Sequence, residues 1–498
     1  MAQRALAIIA ALIVAGLVIG PVAKVLHTGG SLAALTVGDW AALRFTIWQA
    51  ALSAALSVCF AIPVARALAR RHFPGRGLLI SIMGAPFILP VIVAILGLLA
   101  VFGGNGWVNA ILGAVGAPRI DIYGYHGVIL AHVFFNLPLA VRMILQGWLA
   151  IPAERLHVAA SLGAPVGRVL ERPMLWQVCP GAFAIIFVIC TGSFAVALTL
   201  GGGPRATTVE LAIYQAFKFD FDLSRAATLA MVQLGLGLTA GALALRLART
   251  EGFGAGFDRV VQRWDGHAGV DAIWIALASA FLLLPLAAVV LSGAPGLALL
   301  PSSVWDATLR SVVLALGATA LTICFALALV SRAGEMASLL GISVSGLVLG
   351  TGLFLLLRPY VRPGDVALPV TMLVNVLMAL PFALRILKPE VDAARADFGR
   401  LADALGLSVY ARWRIIYLPR LRRPLGFAAG LTAALSMGDL GVITLFADGD
   451  SATLPLQIYR LMGSYQMEAA QGAALLLLAL SLLLFWVFDR GGRAGVEA

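Results

Sequence analysis

The sequence runs to 498 residues, 61% of them hydrophobic and only 12% charged, with a mean hydropathy of +0.98. No water-soluble globular domain has that balance, so the chain belongs in the lipid bilayer. The formal net charge of +11 does not point to nucleic acid as a partner, because the arginines are scattered through short loops and form no single basic domain.

Apolar stretches close to the roughly 20 residues that cross a bilayer as helix recur from end to end. About twelve meet that length: 5–26, 45–68, 78–102, 126–149, 179–200, 226–248, 271–292, 309–331, 337–357, 367–387, 424–446 and 470–488. The runs lack the alternation of a membrane barrel, so the fold class predicted is all-α, a polytopic helical membrane protein. In the first stretch Arg4 precedes an apolar run, as in a signal peptide. The run is long and has no small-residue cleavage site, which predicts a retained helix.

In chain order, the second span carries Leu56-Ser57-Val58-Cys59-Phe60-Ala61 and is followed by Arg66, Arg70, Arg71 and Arg76. The fourth carries His132 and Leu137-Pro138-Leu139-Ala140-Val141-Arg142, and leads into a segment of about 150–178 that contains Arg155, Arg168 and Arg172. Beyond the fifth come Thr199-Leu200, Thr208 and Ile213-Tyr214, and the sixth is followed by Arg246, Arg249, Arg259 and Arg263. The polar, glycine-rich stretch 250–270 then reads as a cytoplasmic linker between two domains, 1–249 and 271–498.

The second domain repeats the first. Leu321-Thr322-Ile323-Cys324-Phe325-Ala326 lies 265 positions after its counterpart, and Leu309-Arg310 matches Leu43-Arg44. Leu380-Pro381-Phe382-Ala383-Leu384-Arg385 and Gly406 lie 243 positions after Leu137–Arg142 and Gly163. Thr444-Leu445, Thr453 and Ile458-Tyr459 follow their counterparts by 245. Matches kept in order argue for duplication. Six spans per half give two parallel repeats of six, about twelve helices in all. The positive-inside rule puts the arginine-bearing loops in the cytoplasm, including Arg395, Arg400, Arg412, Arg414, Arg420, Arg422 and Arg423 after the tenth span and Arg490 and Arg493 after the twelfth. Both termini then face the cytoplasm.

Two cytoplasmic segments, about 150–178 and 388–423, exceed the roughly 2–8 residues of ordinary helix connections. The first reads Ala159-Ala160-Ser161-Leu162-Gly163-Ala164-Pro165 and the second Ala402-Asp403-Ala404-Leu405-Gly406-Leu407-Ser408, each a short helical run stopped by glycine. After Gly406, Val409-Tyr410-Ala411-Arg412-Trp413-Arg414-Ile415-Ile416-Tyr417 interleaves apolar and basic residues ahead of Leu418-Pro419, the pattern of a surface helix with one adhesive face. Such a helix suits lipid headgroups or a protein partner, and its recurrence in both halves favours the partner.

At these residues the chain resembles the permease subunits of bacterial binding-protein-dependent ABC importers, whose cytoplasmic EAA loop has two alanines, a glycine four positions on and a Leu-Pro further along. The second loop fits from Leu405-Gly406 to Leu418-Pro419, and the resemblance implies that Ala159, Ala160, Leu162, Gly163, Ala164, Arg168 and Pro173 of the first loop and Ala402, Leu405, Gly406, Leu407, Tyr410, Arg412, Leu418 and Pro419 of the second couple to the ATPase. The sequence departs where the family has glutamate: His157 and Arg400 stand there, and Pro173 comes three residues early. The segments Thr199–Gln215 and Gly438–Phe446 look like the thiamine ABC transporter permease family, and ferric-ion permeases share the fused layout. The resemblance implies two copies of a separate ATPase that the loops enter, a periplasmic substrate-binding protein, and an inner-membrane location.

A charge inside the bilayer is costly, so polar residues within spans are candidates for the translocation path. Asp439 suits either a cavity that attracts a cation or a carboxylate bonded to nearby backbone. His132 and Asn375, 243 positions apart, suit either the path or bridging between helices, and bridging is the commoner use. Arg142 and Arg385 suit the C-terminal dipoles of helix ends. Cys59, Cys179, Cys190 and Cys324 form no CxxC pair and read as small buried hydrophobes, so no metal or disulfide is expected. The sole lysines, Lys24, Lys218 and Lys388, follow Ala23, Phe217 and Leu387, so no Walker A loop exists. With no cofactor or catalytic motif in the sequence, an enzyme is disfavoured against a transporter. A gradient-driven carrier with parallel repeats is the other transport reading, but it gives the paired loops no purpose.

Overall fold

A computed structural model describes residues 2–83, 88–203, 206–247, 267–330 and 344–493 of the chain. Among the described residues the protein is all-α, with eleven helical stretches long and apolar enough to cross a membrane and one shorter apolar helix, Gly346–Leu357. Helix is the form that lets each stretch satisfy its own backbone where no water is present.

The first half contains α1 (Ala2–Thr28), α2 (Val37–Arg70), α3 (Arg76–Ile82), α4 (Val91–Phe102), α5 (Trp107–Ala114), α6 (Tyr125–Leu149), α7 (Ala153–Ser161), α8 (Arg172–Thr191), α9 (Ala195–Leu200), α10 (Val209–Lys218) and α11 (Leu223–Leu247). The second contains α12 (Ala268–Gly296), α13 (Ser302–Leu329), α14 (Gly346–Leu357), α15 (Ala367–Ala404), α16 (Val409–Arg412), α17 (Leu418–Met437), α18 (Gly441–Phe446), α19 (Leu454–Gly463) and α20 (Met467–Arg493). The linker 250–270 lies almost wholly outside the described residues, as do Arg249, Arg259 and Arg263.

Several predicted spans are revised. The stretch 78–102 is interrupted between α3 and α4, and only the 346–357 part of 337–357 is described as helix. At 12 residues each, α4 and α14, capped by Pro90 and Ser345, are about 18 Å long, shorter than the roughly 30 Å hydrocarbon core of a bilayer. The stretches 179–200 and 424–446 both break, at Gly192 and at Gly438, because glycine supports no side-chain packing and little helix propensity. The tenth span, 367–387, extends as one helix to Ala404, so Arg385 lies well inside α15 and not at its end. Of the four cysteines only Cys190 is buried, while Cys59 and Cys324 face outward, so the expectation of burial fails for those two.

Packing follows matching patterns in the two halves. Helix α2 packs on α6 and α8, and α8 on α11; likewise α13 packs on α15 and α17, and α17 on α20. The first helix of each half also reaches the other half: α1 packs on α11 and lies against α14, and α12 packs on α20 and lies against α4. Both crossings seat a glycine on a proline carbonyl. A Cβ at Gly97 would lie 2.5 Å from the Pro285 oxygen, and a Cβ at Gly352 would overlap that of Pro21. Glycines four apart pack against neighbouring helices, Gly426 and Gly430 against the α20 backbone at Phe488 and Phe485, and Gly346 and Gly350 against Val442 and Leu445. Gly16 and Gly20 meet nothing within 4 Å.

Helices α10 and α19 are fixed in the same way. The Val209 N–H donates to Thr46 Oγ1 at 2.9 Å, and the Leu454 N–H to Ser311 Oγ at 2.7 Å. Thr46 and Ser311 are 265 positions apart, the spacing already seen between Leu56 and Leu321. Ahead of α19 the Ser451 hydroxyl donates to Asp448 at 2.7 Å and holds that carboxyl below the usual carboxylate range.

Candidate coupling loops and membrane-embedded polar site

The two loops close alike. Helix α7 ends at Leu162 and Gly163, with φ +62° at the glycine and an Ala164 N–H to Ala159 O bond of 2.9 Å. Helix α15 ends at Leu405 and Gly406, with φ +60° and a Leu407 N–H to Ala402 O bond of 3.0 Å. These are glycine-terminated Schellman caps, in which the left-handed residue turns the chain so that the next N–H reaches back to a helical carbonyl. Ala159 and Ala402 are buried, whereas Ala160 is exposed. Leu162 is 76% and Leu405 63% exposed, so each cap presents a leucine outward.

Beyond the caps each chain forms a five-residue π-helical segment, Gly167–Glu171 and Trp413–Tyr417, that runs into α8 or α17 with Pro173 or Pro419 in the first turn. The early arrival of Pro173 now has a cause: the second loop inserts α16, one helical turn capped by Ser408, which accepts from the Ala411 N–H at 3.2 Å. Helix α16 projects Tyr410, 72% exposed, while Arg412 folds back onto Asp403 at 2.7 Å and onto Leu407 O at 2.9 Å. Arg168 is exposed at the equivalent turn, as are Leu418 and Pro419 at the start of α17.

His157 and Arg400 are both exposed, and each has an acid three residues earlier, Glu154 and Asp397, 243 positions apart. Residues three apart share a helix face, so the loops carry a carboxylate one turn from the family position. Asp397 pairs with Arg420 at 2.7 Å.

The sequence reading missed the anchor of the first loop. Glu171, 4% exposed, receives Arg66 Nη2 at 2.9 Å and Arg70 Nη2 at 3.1 Å from the end of α2, and Trp148 Nε1 at 3.4 Å from the end of α6. The signal available was rarity: Glu171 and Glu210 are the only acids between Glu154 and Asp220. At the corresponding π segment of the second half, Trp413 and Tyr417 pack ring to ring at 5.2 Å. Arg71 also binds Asp271 at 2.7 Å, tying the end of α2 to the start of α12.

Deep in the bundle, polar side chains gather where α8 and α17 break. A helix ending in lipid leaves carbonyls that need donors. Gln49 Nε2 donates to Cys190 O and Gln233 Nε2 to Thr191 O, both at 3.0 Å, which satisfies the end of α8. Gln233 and the Ser345 hydroxyl at the start of α14 both stand beside the Glu210 carboxylate. Asn136 Nδ2 donates to Cys190 Sγ at 3.4 Å, and Asn375 Nδ2 to Ser436 Oγ at 2.9 Å. Asn375 therefore bridges α15 and α17, while His132 is buried with neither ring nitrogen hydrogen-bonded.

Asp439 occupies the break between α17 and α18. Its Oδ1 accepts the Gly441 N–H at 3.2 Å, and its buried Oδ2 has no partner. Gly438 beside it sits on Pro90, where a Cβ would come within 3.0 Å of the proline Cα. The structure thus gathers Asn375 and Asp439 around one break and leaves His132 on α6. Gln49, Gln233 and Glu210 join the candidate set. Among the described residues no cluster of His, Cys, Asp and Glu could hold a metal ion.

No family model matches the chain. It is 40% identical over 486 residues to the thiamine transport system permease protein ThiP of Brucella abortus (strain 2308), spanning 92% of this chain and 89% of that protein. The protein of the same description from Escherichia coli (strain K12) is 39% identical over 479 residues, spanning 91% and 89%. That of Haemophilus influenzae is 34% identical over 467 residues, spanning 89% and 87%.

Proposed function

We infer the function from membership: the chain belongs to the family of thiamine transport system permease proteins. It is the membrane-spanning permease subunit of an ABC importer for thiamine, a transporter component and not an enzyme. The observation that carries this is identity of 34–40% sustained over about nine-tenths of both chains.

The finer reading is ours. The chain is a fused pair of parallel six-helix repeats, 1–249 and 271–498, with both termini in the cytoplasm. A dimeric ATPase binds beneath it, and a periplasmic binding protein delivers thiamine from above. The paired Schellman caps, the outward Leu162, Leu405 and Tyr410, and the matched contacts of the two helix sets support this reading. ATP-driven closure of the partner moves the two loops, and the helix sets rock about the seam. Asn375 and Asp439 around the break, and His132 on α6, belong to the translocation path.

The test is reconstitution of the chain with its ATPase and binding protein in liposomes. ATP-dependent uptake of labelled thiamine is expected, together with cross-linking from cysteines placed at Leu405 and Tyr410 to the ATPase. Uptake driven by a proton or sodium gradient with no ATPase bound would overturn the reading.

A further inference from the structure

We propose that Glu210 is a membrane-embedded site for the positive charge of the cargo, an organic cation, at the seam between the two sets of helices. The proposal rests on the thiamine reading above. Glu210 stands at the second position of α10, in a chain segment fixed by the Thr46 bond, and is 1% exposed. The Ser345 hydroxyl and the Gln233 amide stand beside its carboxylate, yet Oε1 has no hydrogen-bond partner. Among the described residues, no Arg, Lys or His forms an ion pair with it.

The surroundings keep the group in place without neutralising it. Gln233 is held by Thr191 O, and Ser345 caps α14 by accepting the Val348 N–H at 3.2 Å. The start of a helix carries partial positive charge, which favours an ionised carboxylate beside it. Oε1 is left bare. A second carboxylate with one bare oxygen, Asp439, lies around the same helix start: Val442, three residues further along, packs 3.7 Å from the Cβ position of Gly346. One acid comes from each half of the chain, and both border the start of α14.

Carboxylates at this depth are expensive, and a bare buried oxygen is costlier still. A path that carries a cation has a use for them, because the passing charge supplies the missing partner. The thiazolium ring of thiamine bears a fixed positive charge and no N–H donor on its ring nitrogen, so charge is what a carboxylate recognises in it.

The experiment compares Glu210→Gln and Glu210→Asp with wild type in the reconstituted complex, at equal amounts of assembled protein, by uptake of labelled thiamine. Gln keeps the shape and loses the charge, whereas Asp keeps the charge and loses a methylene. A charge site predicts at least about a tenfold loss in Glu210→Gln with Glu210→Asp retaining more uptake. A packing role predicts the reverse order, which would overturn the proposal, as would wild-type uptake by Glu210→Gln. Should neither variant assemble, wild-type vesicles are treated with dicyclohexylcarbodiimide and modification of Glu210 is read by mass spectrometry. Thiamine is expected to slow that modification; an unchanged rate rules the site out. A wild-type complex that moves no thiamine refutes the family function itself and the site with it, whereas normal uptake by Glu210→Gln refutes the site alone.

Discussion

Gly163 and Gly406 show what a single residue contributes to the proposed coupling loops. Both hold φ near +60°, and neither has an atom within 4 Å of its Cβ position, so a substitution meets backbone strain and no clash. Leaving the left-handed region to a β-branched residue costs roughly 1–2 kcal/mol. Gly406→Val is therefore expected to insert normally but to hydrolyse ATP with little thiamine uptake, and Gly406→Ala to show a milder form of the same defect. Transport per ATP in liposomes checks both. Glu171 acts differently, since its charge is shared by Arg66 and Arg70, whose side chains are 40% and 6% exposed. Breaking a buried pair typically costs about 3–5 kcal/mol, and the exposed Arg66 side lowers that figure. Glu171→Gln should lower the melting temperature in detergent and release the first loop, seen as faster hydrogen exchange over 164–171; unchanged exchange would mean the loop is held elsewhere.

Among the elements, α10 and α19 depend on one hydroxyl each. Removing Thr46 or Ser311 leaves a buried N–H without an acceptor, worth about 1–3 kcal/mol. Thr46→Val and Ser311→Ala should each reduce thermal stability. The double variant should lose the sum, because distant sites that share no partner are additive. Helix α16 is the other element with a definite consequence. It makes the second loop one turn longer than the first and carries Tyr410 outward, so the two loops cannot meet a symmetric ATPase dimer identically. Deleting the turn is expected to weaken ATPase binding from the second half only, measured by cross-linking yield from Leu405 against Leu162.

At the scale of the molecule, the crossing of α1 onto α14 and of α12 onto α4 locks each half to the other. The halves 1–249 and 250–498 expressed separately should each be degraded or aggregate, and should assemble into a transporting complex when made together. Gly352→Leu or Gly97→Leu, which push against Pro21 or Pro285, should weaken that reassembly, as judged by copurification of the halves. Recovery of either half as a stable monomer would show that the crossings are dispensable.

Membrane-crossing length and helical class were legible in the sequence because hydrophobic length and composition are written along the chain. The glycine caps were legible for the same reason: a left-handed residue after a helical run is a local event. Glu171 and Glu210 were not, since their partners Arg66, Arg70 and Ser345 lie 101 to 135 positions away and only folding brings them together. The breaks at Gly192 and Gly438 were hidden inside apolar runs, whose composition says that a segment enters lipid but not whether it stays helical there. Which carbonyls and carboxylates find a partner is decided by tertiary packing, because in the bilayer no water is present to satisfy the rest.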